Sequence, residues 1–235
     1  MNSKFTNSSE SYFKVQPFVI LLPIVLLVLM WIVYVLEWKM GWNFNGLGVY
    51  PRHLDGLIGV ITGPFIHGSA KHLFNNSIPF VILSMSLLYF FQEEGLKIFI
   101  LGWVLSGIGT WLIGRPSHHI GASGVVYFLF GFLFLSGLIR KNIRLTALSL
   151  ALCFLYGGMI WYVFPIEADI SWEGHSSGLL VGFVLAILWR QKGPKSPKHI
   201  FKKTEFDEFF DEYGNLRESL PESLIEESTT SDRDI

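Results

Sequence analysis

A single cysteine, Cys153, among 235 residues excludes an intrachain disulfide. Its place in an apolar run argues against a thiolate nucleophile or a Cys-ligated metal. Charge is also scarce: Asp, Glu, Lys and Arg make up 16% of the chain, against about 25% in ordinary soluble domains. Carboxylates thin out most where the chain is apolar, since eleven of the nineteen follow Gly193. The net charge of -1 provides no basic surface for nucleic acid, and no such partner is expected. Neither His-Glu-x-x-His nor Gly-x-Gly-Asp occurs, which removes the zinc-hydrolase helix and a common aspartyl motif. No metal and no cofactor are expected.

What the chain has instead is apolar length. Hydrophobic residues make up 51% and aromatics 16%, a composition of membrane proteins. Crossing a hydrocarbon layer of about 30 Å takes about 20 largely apolar helical residues. Six runs fit: 17–36, 72–91, 96–113, 121–139, 145–164 and 172–189. The predicted fold class is therefore an all-α membrane protein with six transmembrane helices. The first run is too long for a secretion signal and lacks a small-residue cleavage site, so it is read as a retained helix. With both termini cytoplasmic, twelve of the Lys and Arg residues up to Lys203 lie inside and four (Lys39, Arg52, Lys71, Arg115) outside, the bias that membrane proteins show. Residues 1–16 read as a cytoplasmic leader, 17–190 as the six-helix domain and 191–235 as an acidic cytoplasmic tail, mostly disordered. The external connection 37–71, rich in glycine and aromatics, is expected to lie in the outer interface against the helices.

Polar side chains inside spanning helices are costly to bury and are functional candidates for that reason. Four stand out: His72, Asn76, Ser123 and His175. Under this topology the second, fourth and sixth helices all enter from the outer face, and each of these residues lies near the start of its helix. All four thus share one depth. At about 100° per residue, Gly178, Gly182 and Ala186 lie within about 60° of His175, so the histidine stands on a stripe where another helix can approach closely. His72 and Asn76 share a face, and Tyr127 lies one turn beyond Ser123. The tetrapeptide Gly121-Ala122-Ser123-Gly124 is weak evidence alone, and each polar residue alone reads better as a packing, capping or interhelical hydrogen-bonding group. His67, Ser69, Asn75 and Ser77 would form a polar entrance. His118 and His119 precede the fourth helix and are expected in a loop.

Taken jointly these residues resemble the rhomboid family of intramembrane serine proteases. The resemblance runs from Arg52 to about Ala186. It is carried by Pro64-Phe65-Ile66-His67, then His72-x-x-x-Asn76, then Gly121-Ala122-Ser123-Gly124-Val125-Val126-Tyr127, and Gly174-His175-x-x-Gly178-x-x-x-Gly182. It implies a six-helix rhomboid bundle in which Ser123 is the nucleophile and His175 its base, with Tyr127 packed on the imidazole. His72, Asn76 and the Ser123 N–H would form the oxyanion hole. Tyr50-Pro51-Arg52 stands where the family usually has a Trp-Arg pair.

The implied activity is endopeptidase cleavage of membrane proteins in or near their transmembrane segments, which with the lipid bilayer are the expected partners. The six-helix form resembles the basic bacterial one, which points to a bacterial inner membrane and a site open to the outer face. No carboxylate is expected beside the base on the fourth or sixth helix, so the pair would act as a dyad, with Tyr127 and Gly178 orienting the ring. The rival reading is a silent rhomboid relative that binds transmembrane segments without cutting them. Such relatives generally lack the serine or the histidine.

Overall fold

A computed structural model describes residues 16–155, 161–167 and 170–194, with short stretches between 207 and 216. Residues 1–196 form one compact unit and 197–235 a second. In the first, the α-helices among the described residues are α1 (Pro17–Met40), a short α2 (Gly59–Thr62), α3 (Ala70–Phe90), α4 (Gly95–Ile113), α5 (Ser123–Ile139), α6 (Ile143–Leu155) and α7 (Trp172–Leu188). In the second they make a tight turn, with the Asp211 carboxylate accepting from the backbone N–H groups of Tyr213 and Asn215. The expected leader and most of the expected acidic tail lie outside the described residues.

Helices α1, α3 and α4 are long and apolar enough to cross a membrane; α5, α6 and α7 are apolar and shorter. The ends deviate from expectation for local reasons. α1 runs on to Met40 because Glu37, Trp38 and Lys39 are sound helix formers, and it stops at Gly41, whose φ of 68° closes a left-handed cap. α5 starts at Ser123 because Gly121 has φ +103°, incompatible with a helix. The fifth expected span, 145–164, is described as α-helix only to Leu155, and its far end is a 3₁₀ turn, Trp161–Val163.

α5 is the centre of the bundle. Val125 to Leu133 are buried without a break, as befits a helix apolar all round that is enclosed by others. Phe80, Leu83 and Leu87 of α3, Ile98, Phe99 and Trp103 of α4, Leu145 and Leu152 of α6, and Leu185 and Ala186 of α7 complete the core. α1 is equally apolar but buries only Val19, Pro23 and Met30, so its remaining surface suits lipid. Its indole at Trp31 donates to the Ser77 hydroxyl on α3 at 3.2 Å.

The connection 41–69 is a compact series of turns laid against α4. Val49 exchanges backbone hydrogen bonds with His119 at 2.9 and 2.8 Å, and Val60 accepts from the Trp103 indole at 2.9 Å. A Cβ on Gly59 would overlap the Gly48–Val49 backbone, so glycine lets the two passes touch. Arg52 sits at φ 60° and donates through one guanidinium nitrogen to the carbonyls of Gly114 and Leu112, at 2.9 and 3.3 Å. Trp111 of α4 donates to the His53 carbonyl at 2.8 Å.

The closest helix pair is α5 with α7. A Cβ on Gly178 would overlap the Gly124 carbonyl, and one on Gly182 the Phe128 carbonyl. Backbone cannot yield as a flexible side chain does, so Gly178→Leu should lower stability by at least the ~1–3 kcal/mol of an overpacked core. Leu180→Ala, at a position 64% exposed, should change it little. Thermal unfolding of the purified variants in detergent checks the contrast; equal Tm values would mean that the glycine stripe is not a packing surface.

Candidate active site

Ser123 owes its position to the turn before it. The Gly121 N–H donates to the Gly63 carbonyl at 2.9 Å, and the Ala122 N–H donates to Nε2 of His67 at 3.3 Å. His67 is buried, and burial first, with the charge of neighbouring His72 second, pushes its pKa down to about 3. The ring is therefore neutral and able to accept. His67 was expected at a polar entrance; it lies beneath the serine turn instead. Ser77, also expected there, is buried and donates to the Leu73 carbonyl at 2.7 Å. His67, in the connection before α3, is held inward by the Ala122 N–H, and Ser77 lies on the face of α3 turned toward α1, where it accepts from Trp31.

A Cβ built on Gly121 would stand 2.7 Å from the His72 ring and 3.7 Å from Nδ2 of Asn76. Both side chains therefore reach the turn that leads into Ser123. Asn76 is 6% exposed, and its Nδ2 has no hydrogen-bond partner among the described residues. A buried donor in this condition calls for a physical account.

From the other side, α7 begins at a Ser171 cap whose hydroxyl accepts from the Gly174 N–H at 3.3 Å. One turn in, His175 places Nε2 2.8 Å from Oγ of Ser123 and Nδ1 2.8 Å from the Tyr162 carbonyl. A carbonyl only accepts, so Nδ1 carries the proton and Nε2 is left to accept from the hydroxyl. The Tyr127 ring stacks on the imidazole, centroids 4.2 Å apart and planes 14° from parallel. Gly178, one turn beyond, holds α7 against Gly124. Ser123, His175, Tyr127, His72, Asn76 and Gly178 are thus brought into one place.

The expectation of no carboxylate near the base on this helix is overturned by Glu173, two residues before His175 and 1% exposed. Its Oε1 accepts from the Arg115 N–H at 3.2 Å and lies 3.8 Å from the guanidinium, which itself donates to the Ile170 carbonyl at 2.7 Å. The carboxylate turns toward Arg115, away from the imidazole, so it clamps the segment before α5 to the start of α7. His119 belongs to the same clamp: Nδ1 meets the Ser171 hydroxyl at 2.6 Å and Nε2 the Arg115 carbonyl at 3.1 Å. Burial holds its pKa below the ordinary histidine range. His118 is an exposed loop residue packed on Tyr50.

A cavity of about 960 Å³ opens over these groups, lined among others by Ser69, Lys71, His72, Asn75, Asn76, Ser123, Tyr127, Tyr162 and His175. It can admit an extended strand and water. Among the described residues no cluster of three His, Cys, Asp or Glu could hold a metal ion. Sequence reasoning missed Glu173, although a carboxylate in the first turn of an apolar helix was signal enough to find it. The Tyr162 carbonyl had no signal, since every residue has one.

Residues 54–192 match the rhomboid domain, and the chain belongs to the rhomboid family. It is 34% identical over 173 residues to an uncharacterized protein of Mycobacterium tuberculosis, covering 68% of this chain and 70% of that one. An uncharacterized protein of Mycobacterium leprae is 27% identical over 69% of this chain and 68% of its own. A protein of Acanthamoeba polyphaga mimivirus with a rhomboid name is 28% identical over 57% and 75%. The chain is therefore that of an integral membrane protein with relatives in bacteria.

Arg115→Ala leaves the Glu173 carboxylate buried beside fewer donors and should destabilise by about 1–3 kcal/mol, moderated by the partial exposure of the guanidinium. Glu173→Gln keeps an acceptor for the Arg115 N–H and should be milder. Thermal unfolding checks the order; a greater loss for Glu173→Gln would mean that the clamp does not depend on its charge.

Proposed function

We propose that this chain is an intramembrane serine endopeptidase that hydrolyses peptide bonds in or near transmembrane segments, with Ser123 as nucleophile and His175 as base. The observation that carries the reading is the 2.8 Å approach of His175 Nε2 to Ser123 Oγ, beneath a cavity and against the Tyr127 ring. In the mechanism the Ser123 oxygen attacks the substrate carbonyl as its proton passes to Nε2. The resulting tetrahedral oxyanion accepts from the Ser123 N–H, Asn76 Nδ2 and His72. Its collapse breaks the C–N bond, and the imidazolium gives its proton to the leaving amine. Water, activated by the same histidine, then attacks the acyl-enzyme and releases the carboxylic acid and free serine. The unpartnered Nδ2 of Asn76 fits this role, because its bond forms only when charge develops on the substrate.

The same reading takes α1, α3, α4, α5, α6 and α7 as six transmembrane helices, with both termini cytoplasmic and the cavity facing outward, in a bacterial cell membrane. The about 25 Å of α5 and α7, at 1.5 Å per residue, falls short of a full hydrocarbon layer. Their polar first turns would then sit at the floor of a water-filled opening. Cysteines introduced at His53 and at Lys141 in a Cys153→Ala background should react with an impermeant maleimide from outside and from inside respectively. The reverse pattern would overturn the orientation.

The purified protein should cleave a single-span substrate in liposomes, and a fluorophosphonate should label Ser123. Ser123→Ala should abolish both signals, His175→Ala should remove the activation, and His118→Ala should leave substantial activity. Asn76→Ala should lower kcat by about 100- to 1000-fold with little change in KM. Cleavage by Ser123→Ala would refute the mechanism. A folded wild type that neither cleaves nor labels would favour a silent binding protein.

A further inference from the structure

Two consecutive residues of α7 grip one turn. His175 donates from Nδ1 to the Tyr162 carbonyl at 2.8 Å, and the Ser176 hydroxyl donates to the Val163 carbonyl at 2.6 Å. Neighbouring helix residues point about 100° apart, so the Trp161–Val163 turn is held from two directions. Among the described residues its own closure is the backbone bond from the Phe164 N–H to the Trp161 carbonyl at 3.0 Å. A three-residue 3₁₀ turn has no ladder to fix it, and its position depends on such outside contacts.

The position matters because of what stacking leaves undetermined. The Tyr127 ring confines the imidazole to a plane but is nearly indifferent to a half-turn of the ring within it, and that torsion is broad and two-fold. A half-turn would exchange Nδ1 with a carbon and remove Nε2 from the serine. An acceptor at Nδ1 breaks the symmetry and also selects the tautomer that leaves Nε2 free. Serine hydrolases commonly place a carboxylate there. Here the nearest carboxylate on the helix, Glu173, is about 200° around the axis from His175 and is engaged by Arg115.

We infer that the Tyr162 carbonyl orients the base in place of a carboxylate, and that Ser176, by fixing the turn through Val163, is a positioning residue. The inference rests on the reading of Ser123 and His175 as nucleophile and base. Ser176 touches no reacting atom; it acts through the turn. When Nε2 takes up the serine proton, the Nδ1–H bond to the carbonyl becomes charge-assisted and strengthens. The orienting bond therefore favours the transition state over the resting ring.

The test compares Ser176→Ala and Ser176→Thr in the full-length protein in liposomes with a single-span substrate. Ser176→Ala should lower kcat about 10- to 100-fold, the scale of a small misplacement of a catalytic group, with KM and Tm close to wild type. Ser176→Thr keeps the hydroxyl and should restore most of the rate. Nitrogen NMR of ¹⁵N-histidine protein should find neutral His175 protonated at Nδ1 in the wild type, and mixed tautomers in Ser176→Ala. An unchanged kcat in Ser176→Ala, an effect confined to KM, equal losses in Ala and Thr, or a wild-type ring protonated at Nε2 would each overturn the inference. If Ser176→Ala fails to fold, an ester between Tyr162 and Val163 weakens the Tyr162 carbonyl as acceptor, keeps every side chain and carries the same expectation. Failure of the underlying reading is distinguishable: wild type would then neither cleave nor label, whereas failure of this inference alone leaves wild type active.

Discussion

Two backbones touching is the constraint on which the site depends. Where α7 crosses α5, Gly178 leaves no space between its own Cα and the Gly124 carbonyl. Side-chain packing between helices ordinarily holds axes 8–10 Å apart, and interfaces of small residues allow a nearer approach. Only at that nearer approach can a short serine hydroxyl, projecting from the first residue of one helix, meet an imidazole from the first turn of another. Burial of Phe128 and Phe132 beneath the contact fixes the rotation of α5, and with it the direction in which Ser123 points.

The polar groups above this contact are held by a ring of hydrogen bonds drawn from loops. His67 steadies the turn into Ser123, the Arg115–Glu173 clamp joins the approach to α5 with the start of α7, and Arg52 ties the first connection to the end of α4. Each of these ties uses a backbone carbonyl or N–H on at least one side. Irregular backbone at membrane depth must satisfy its own polar groups, so the loops close on one another and Ser123 and His175 inherit their rigidity. Asn76 Nδ2 is the contrasting case, a donor in a buried place that the ring leaves unspent.

How far the sequence foretells this follows from which interactions leave a pattern. Apolar runs and their breaks set the helices to within four residues at their described ends, because lipid and core both demand continuous apolar surface. The depth shared by His72, Asn76, Ser123 and His175 was legible for the same reason: polar side chains stand out against such runs. The stripe of Gly178 and Gly182 was legible as period. Loop geometry was not. Nothing in the spacing tells that Gly59 lies on Gly48, or that His67 turns beneath Ser123 while Ser69 and Asn75 face the cavity, since those contacts join segments far apart in the chain. Glu173 shows a different failure, a residue visible in the sequence whose partner, Arg115, lies 58 positions away.

At the end of the bundle remote from Ser123, Arg140, just past the last turn of α5, donates to the carbonyls of Trp189 and Lys192 just beyond α7, at 2.8 Å from its Nε to the latter, and lies 5.0 Å over the Phe91 ring. The two helices that carry Ser123 and His175 are thereby pinned at both extremities and fused by glycine contacts between. A bilayer that thickens or thins exerts its force on lipid-facing surface, and α1 with its sparse inward contacts can tilt to follow it at modest cost. α5 and α7, so tied, resist shear between them. The membrane can thus deform around the Ser123–His175 pair without altering its spacing, so that any reaction the pair carries would be largely insensitive to the mechanical state of the lipid.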